Sequence, residues 1–231
     1  MDRSAMLVVL QLAVVMAAAV YVGRQVTKPT RFVGRLFAWL MNRSHSDLTD
    51  WALIHFRADR YANALDVGCG GGRTIEKLAE IATSVYGVDY AAGSVAASRA
   101  HNKRLIAEGR VQVERAPVSR LPFTNDFFEL VTAIETQYYW PDVRNDMREV
   151  LRVLKPGGRL VVVAESYKGS RHDWLLGPVM RLLGSHRLSL DDHRALFQSA
   201  GYNEIEMFEE PGKGWLCATG RKPSGRNEVG V

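Results

Sequence analysis

Between residues 60 and 221 the chain alternates short apolar runs with longer amphipathic stretches. The runs at 62–67, 84–89, 111–115, 128–134 and 159–165 are short and rich in Val, Leu, Ala and aromatic residues, 111–115 in alternation with polar ones, and each reads as a strand. Stretches near 73–82, 92–108, 142–154 and 190–200 space apolar residues three and four apart, the period of a helix packed along one face. Strands that alternate with helices predict a doubly wound α/β fold with a mostly parallel sheet. Two last runs, 202–209 and 214–221, are separated by Pro211-Gly-Lys-Gly214 and predict an antiparallel C-terminal hairpin, bringing the sheet to seven strands. The domain is expected over 59–222, with 223–231 as a frayed tail.

Ahead of this domain the pattern changes. Ala5–Gly23 carries no charge, and as a helix at ~1.5 Å per residue it would cover about 28 Å, the thickness of a bilayer core. Its rival readings are a signal peptide cut near Ala17-Ala-Ala19, a buried helix, and a leader that is not normally translated. Arg24, Lys28, Arg31 and Arg35 follow the segment and only Arg3 precedes it, so an anchor here leaves the domain on the cytoplasmic side; a cytoplasmic protein without an anchor is the alternative. Residues 1–29 are thus expected to be an anchor with a basic flank. From 30 to 43, apolar positions 32, 33, 36, 37 and 40 form a helical stripe beside basic residues. That N-terminal helical extension, 30–58, is expected either to lie in the headgroup layer with Phe37 and Trp39 inserted or to pack on the domain. Ser46-Asp-Leu-Thr-Asp50 is expected to open its last helix, Trp51–Arg57.

Charge sharpens the picture once it is located. Of 30 Lys/Arg and 25 Asp/Glu, six cations and one acid fall in residues 1–43, leaving 24 of each sign elsewhere. A nucleic-acid enzyme more often carries its basic excess on the folded domain, so RNA or DNA is not the expected partner. Two cysteines, Cys69 and Cys217, make no disulfide framework and point to a reducing compartment. Neither they nor the six histidines show metal-ligand spacing.

Chemistry concentrates in Asp66-Val-Gly-Cys-Gly-Gly-Gly72, between an apolar run and a helix-like stretch. Glycine admits positive φ and lets a ligand lie against bare backbone, and the helix start behind it offers unpaired N–H groups. Gly68 and Gly70 fit the first two positions of the dinucleotide fingerprint G-x-G-x-x-G, but the third falls on Arg73. A carboxylate in the strand repels a pyrophosphate and attracts an ammonium group. The loop therefore suits S-adenosylmethionine (SAM), which has an amino-acid zwitterion and no phosphate. Asp89 ends a second apolar run 23 residues later, where an acid accepts hydrogen bonds from ribose hydroxyls, and Tyr90 offers a flat face beside the adenine.

These stretches, with Leu121-Pro-Phe123, Asp126-Phe-Phe-Glu-Leu130 and Glu149-Val-Leu-Arg-Val-Leu-Lys-Pro-Gly-Gly158, run in the order found in class I SAM-dependent methyltransferases. The chain resembles that family, and within it the broad group sharing a type 11 methyltransferase domain, over roughly 60–165. The resemblance implies the seven-stranded Rossmann-like methyltransferase fold and SAM as cofactor. It assigns cofactor contacts to Asp66, Gly68, Cys69, Gly70, Gly72, Asp89 and Tyr90, and makes residues 30–58 a candidate lid over the cofactor. One feature departs from the family: an acid commonly precedes Leu-Pro-Phe, whereas here Pro117 or Val118 stands near that place, leaving the adenine to backbone, Val118 or Ser119.

The loop after the fourth run, Glu135-Thr-Gln-Tyr-Tyr-Trp-Pro141, is rich in aromatic rings. Methyl transfer is an in-line displacement at a sulfonium, and rings beside the donor hold a cation and exclude water. Tyr138 and Tyr139 are candidate catalytic residues; Glu135 is a candidate for orienting the methionine moiety or accepting a proton. Packing above the sheet and helix capping are the plainer readings. His172, in the insert after the fifth run, is a candidate general base or a surface histidine. The expected function is methyl transfer to a small, lipid-like acceptor by a membrane-tethered enzyme. A non-catalytic SAM-binding scaffold and a nucleotide-linked oxidoreductase are the alternatives. Acceptor atom and oligomeric state stay open.

Overall fold

The structure is a computed structural model that describes residues 46–56, 60–171, 173–174, 185 and 187–225. Alternating strands and helices build one seven-stranded sheet, order β3-β2-β1-β4-β5-β7-β6. In chain order the elements are α1 (Ser46–Leu53), β1 (Tyr61–Val67), α2 (Arg73–Leu78), β2 (Ala82–Asp89), α3 (Ala92–His101), α4 (Lys103–Ala107), β3 (Val111–Arg115), β4 (Phe128–Ile134), α5 (Val143–Val153), β5 (Leu154–Ala164), α6 (Leu190–Ala200), β6 (Asn203–Glu210) and β7 (Trp215–Arg221). β1 pairs in parallel with both β2 and β4, so the chain winds outward one way through β3 and then crosses back. β7 is antiparallel to both its neighbours, β5 and β6.

The central runs of β1, β4 and β5 largely lack a polar alternation because the middle of the sheet is covered on both faces, whereas the edge strands β3 and β6 alternate. Val161 and Val163 point into one cluster with Leu48, Phe56, Ile75, Leu78 and Val85, from α1 and the turn after it, α2 and β2. Leu160 and Val162 point into the other with Met147, Val150, Leu196 and Phe197, from α5 and α6. Between β3 and β4 no helix forms. Tyr86, Phe123, Phe127 and Phe128 cover that part of the second face instead, Tyr86 meeting each phenylalanine edge-on with centroids 5.4–5.6 Å apart.

Several boundaries differ from the sequence pattern; the helix expected near 73–82 ends at Leu78, and β2 starts at Ala82, not 84. The helix expected at Trp51–Arg57 starts earlier, at Ser46, and ends at Leu53. The 92–108 stretch breaks at Asn102, whose side-chain amide turns inward to the carbonyls of Gly72 and Ser98. β5 begins at Leu154, not 159, because Leu154 pairs with Phe128 of β4 and Gly157 and Gly158 pair with Lys222 near the far end of the chain. No helix among the described residues is long and apolar enough to cross a membrane. Ala5–Gly23, the 30–43 stripe and the end of the tail from 226 lie outside the described residues.

Candidate functional site

Ligands of open α/β sheets bind beyond the carboxyl ends of the strands, where the winding reverses. Here that point lies between β1 and β4, and the glycine loop occupies it. Gly68, Gly70 and Gly72 all have positive φ, 75°, 49° and 85°. A Cβ on Gly68 would lie 2.2 Å from Thr136 Oγ1, and one on Gly72 2.5 Å from Ser98 Oγ and Asn102 Nδ2. The N–H groups of Gly68 and Cys69 both donate to the Val88 carbonyl, at 2.8 and 3.0 Å, which pins the loop to β2.

Two buried carboxylates flank this loop. Asp66 accepts from Thr132 Oγ1 at 2.7 Å; burial, opposed by that bond and reinforced by Asp89, raises its pKa to about 7. Asp89 accepts from Gly70 N–H at 3.1 Å and Ala91 N–H at 2.8 Å, and burial outweighs these bonds in raising its pKa. Asp89 therefore shapes the glycine loop as well as standing at the tip of β2. A carboxylate has about four lone-pair directions, so it retains acceptor capacity. The Cys69 thiol is buried and pushed well above its ordinary value, chiefly by desolvation, so the residue offers backbone and not a nucleophile.

Around the rim, Tyr90 is 42% exposed, and Arg115 donates to its carbonyl at 2.9 Å. Val118 and Ser119 sit in a turn closed by Arg120 N–H on the Pro117 carbonyl; Val118 is buried in the second core and Ser119 is exposed. That loop is fastened by α5. Arg152 donates to the carbonyls of Leu121 (3.1 Å) and Phe123 (2.8 Å), to Asn125 Oδ1 (2.9 Å) and to both oxygens of Glu149, while Glu149 accepts from Leu121 N–H at 2.8 Å.

At the tip of β4, Glu135 adopts φ 58°, rare for a residue with a side chain. Its N–H continues the ladder to Val163, one carboxylate oxygen accepts from Tyr138 OH, and the other accepts from Glu165 N–H. Tyr138 is buried and its ring meets Tyr139 edge-on at 4.9 Å. Tyr139 is half-buried, its phenol raised to about 12 by burial, then Glu135 and then Tyr90. Trp140 belongs to the core.

Of the predicted site residues, Asp66, the three glycines, Cys69 and Asp89 come together in one cradle, and Tyr90, Glu135 and Tyr139 frame it. His172 lies outside the described residues. Thr132, Thr136 and Asn102, which set the cradle's shape, escaped the sequence pattern: their neighbours across β1 and α3 are not adjacent in the chain. Glu149 and Arg152 lay inside a recognised motif without an assigned part.

Residues 65–162 match a family model described as a methyltransferase domain. Methyltransferase GfsG of Streptomyces halstedii is 32% identical over 148 residues, 62% of this chain and 53% of that protein. The ubiquinone/menaquinone biosynthesis C-methyltransferase UbiE of Geobacter sulfurreducens is 36% identical over 110 residues, 46% of this chain and 43% of that protein. The chain thus spans about half the length of these curated relatives. A structure of phosphoethanolamine N-methyltransferase 2 from Haemonchus contortus, in complex with phosphomonomethylethanolamine and S-adenosylhomocysteine, superposes with a TM-score of 0.64 at 15% identity, covering 77% of this chain and 53% of that one.

Proposed function

We propose, from the match of residues 65–162 to a methyltransferase domain, that the protein is a class I SAM-dependent methyltransferase that transfers the SAM methyl group to a small, lipid-like acceptor at a membrane surface. The observation that carries the reading is the cradle itself: three left-handed glycines between two buried carboxylates, with no room for a Cβ at Gly68 or Gly72.

The donor supplies a methyl group on a positively charged sulfur, and the residues present suit it. Asp66, buried behind Gly68, loses its proton most readily when an ammonium group faces it. The spare lone pairs of Asp89 suit ribose hydroxyls, and Tyr90 and Ser119 stand where an adenine edge would pass. The chain's own contribution is then positioning and exclusion of water, since a sulfonium leaving group needs no protonation. His172 remains a candidate base for acceptors that must lose a proton.

The acceptor class and the tether rest on sequence and on a relative. Ala5–Gly23 has the length of a bilayer span and is followed by a basic flank, and the UbiE relative is named for ubiquinone/menaquinone biosynthesis. A tethered domain with a lipid-soluble acceptor follows. Titration calorimetry on the full chain tests the cofactor: heat with SAM and S-adenosylhomocysteine and none with NAD is expected, and the reverse overturns the reading. Incubation with methyl-labelled SAM, host membranes and cytosol tests the acceptor. Label is expected in the organic phase; label confined to water-soluble products removes the lipid-like acceptor.

A further inference from the structure

The loops after β4 and β5 are tied together by one side chain, Glu135. Its carboxylate reaches forward within its own loop to Tyr138 OH and sideways to Glu165 N–H at the end of β5. Both oxygens are thereby engaged inside the protein, and the left-handed backbone at Glu135, which a side chain resists, is what turns the carboxylate inward. Tyr138 is buried with its proton committed to Glu135. Tyr139 differs: it is half-buried, and among the described residues its hydroxyl makes no hydrogen bond. Its ring rests edge-on against Tyr138, and it lies near enough to Tyr90 for the two phenols to influence one another. Tyr90 follows β2 and Tyr139 follows β4, the two strands that flank β1. The two tyrosines therefore stand in loops on either side of the glycine loop that ends β1, and Thr136 of the same β4 loop closes on Gly68.

We infer that Glu135 is a positioning residue, not a base: through Tyr138 it braces Tyr139 as the ring that faces the donor's sulfonium across the glycine loop. This rests on the reading of the cradle as a SAM site. It separates the roles of a loop whose rings are alike in sequence: Trp140 is core, Tyr138 is a strut, and Tyr139 is the ring that meets the ligand.

The test compares the dissociation constants of SAM and S-adenosylhomocysteine for the full chain, because the two differ by the methyl group and the positive charge on sulfur. Cation–π contact is lost with Tyr139→Leu, so the preference for SAM is expected to fall about tenfold, and Tyr139→Phe is expected to keep it. Glu135→Ala and Tyr138→Phe are each expected to lower the preference like Tyr139→Leu, and the double variant no further. Glu135→Gln is expected to preserve it, since an amide still accepts from Glu165 N–H and donates to the Tyr138 oxygen. Tyr138→Phe retains the buried ring, so a Glu135→Ala chain that failed to fold would leave the test intact. An unchanged preference in Tyr138→Phe, or a Tyr139→Leu chain that discriminates like the wild type, overturns the inference. Wild-type protein that binds neither ligand would instead remove the SAM reading beneath it.

Discussion

Asp66 shows how one buried side chain couples cofactor, proton and stability. Its folded pKa stands at about 7, above the ordinary aspartate value, so the native state holds a proton that the unfolded chain gives up. Its contribution to stability is fully present below about pH 4 and is lost as the pH rises towards 7, by roughly 4 kcal/mol at most. Asp89 shifts in the same direction, so the diagnostic quantity is the difference between the wild type and Asp66→Asn. Denaturant unfolding without ligand at pH 5 and pH 8 is expected to show the variant gaining on the wild type as the pH rises; a constant difference would refute the shift. An ammonium ligand reverses the preference. SAM affinity is therefore expected to increase as the pH approaches 7, with proton release on binding, and Asp66→Asn is expected to flatten both. The neighbouring Gly68 makes a harsher prediction. Alanine there combines φ 75° with a Cβ 2.2 Å from Thr136 Oγ1, at an expected cost of about 1–3 kcal/mol in stability and at least tenfold in SAM affinity. Calorimetry and unfolding on Gly68→Ala check the two together. The sequence announced Asp66, Asp89 and the glycines, because their chemistry is local to a seven-residue motif and one strand end. Thr132, Thr136 and Asn102 were silent, because each acts on a residue at least 30 positions away.

Between residues and the whole molecule, α5 acts on the loop from Ala116 to Phe127. Two of the motifs recognised in the sequence, Leu121-Pro-Phe123 and Glu149-Val-Leu-Arg152, turn out to be two halves of one clamp, joined by the Arg152 guanidinium and the Glu149 carboxylate. The clamp fixes the turn that carries Val118 and Ser119, the proposed adenine wall. Arg152→Met keeps the aliphatic stem but leaves the carbonyls of Leu121 and Phe123 without their donor. A stability loss of about 2–3 kcal/mol is expected, with SAM and S-adenosylhomocysteine weakened equally, about fivefold or more by roughly one such lost contact. A selective loss of SAM would mean that the clamp acts on the sulfonium end and not on the adenine. Element existence was plain from apolar periodicity because the central strands β1, β4 and β5 are largely buried and their runs nearly continuous, while β3 and β6 at the sheet's edges alternate. Element ends were not. The start of β5 is decided by Phe128 and Lys222, and the break between α3 and α4 by Gly72, partners no window of neighbouring residues contains.

At the scale of the whole chain, charge and core divide at different places. The formal excess of five positive charges lies wholly in residues 1–43, whereas among the described residues the core begins at α1 and the turn after it, where Leu48, Ala52, Leu53 and Phe56 are each no more than 5% exposed. The two divisions can be separated by cutting the chain. A chain starting at residue 44 loses the basic leader and keeps α1; one starting at residue 58 loses α1 as well. The first is expected to leave the membrane fraction that retains the full chain and to unfold at the same denaturant concentration. The second forfeits the burial of three large side chains, about 5 kcal/mol or more, a large share of what holds an ordinary domain together. The glycine loop and the carboxylates of Asp66 and Asp89 lie wholly within the part that this cut keeps, so the chain from residue 44 is expected to bind SAM within about threefold of the full chain. Release from membranes with affinity intact assigns the leader to attachment alone. Release accompanied by a large loss of SAM affinity, at unchanged stability, would instead make residues 30–43 part of the cofactor's cover.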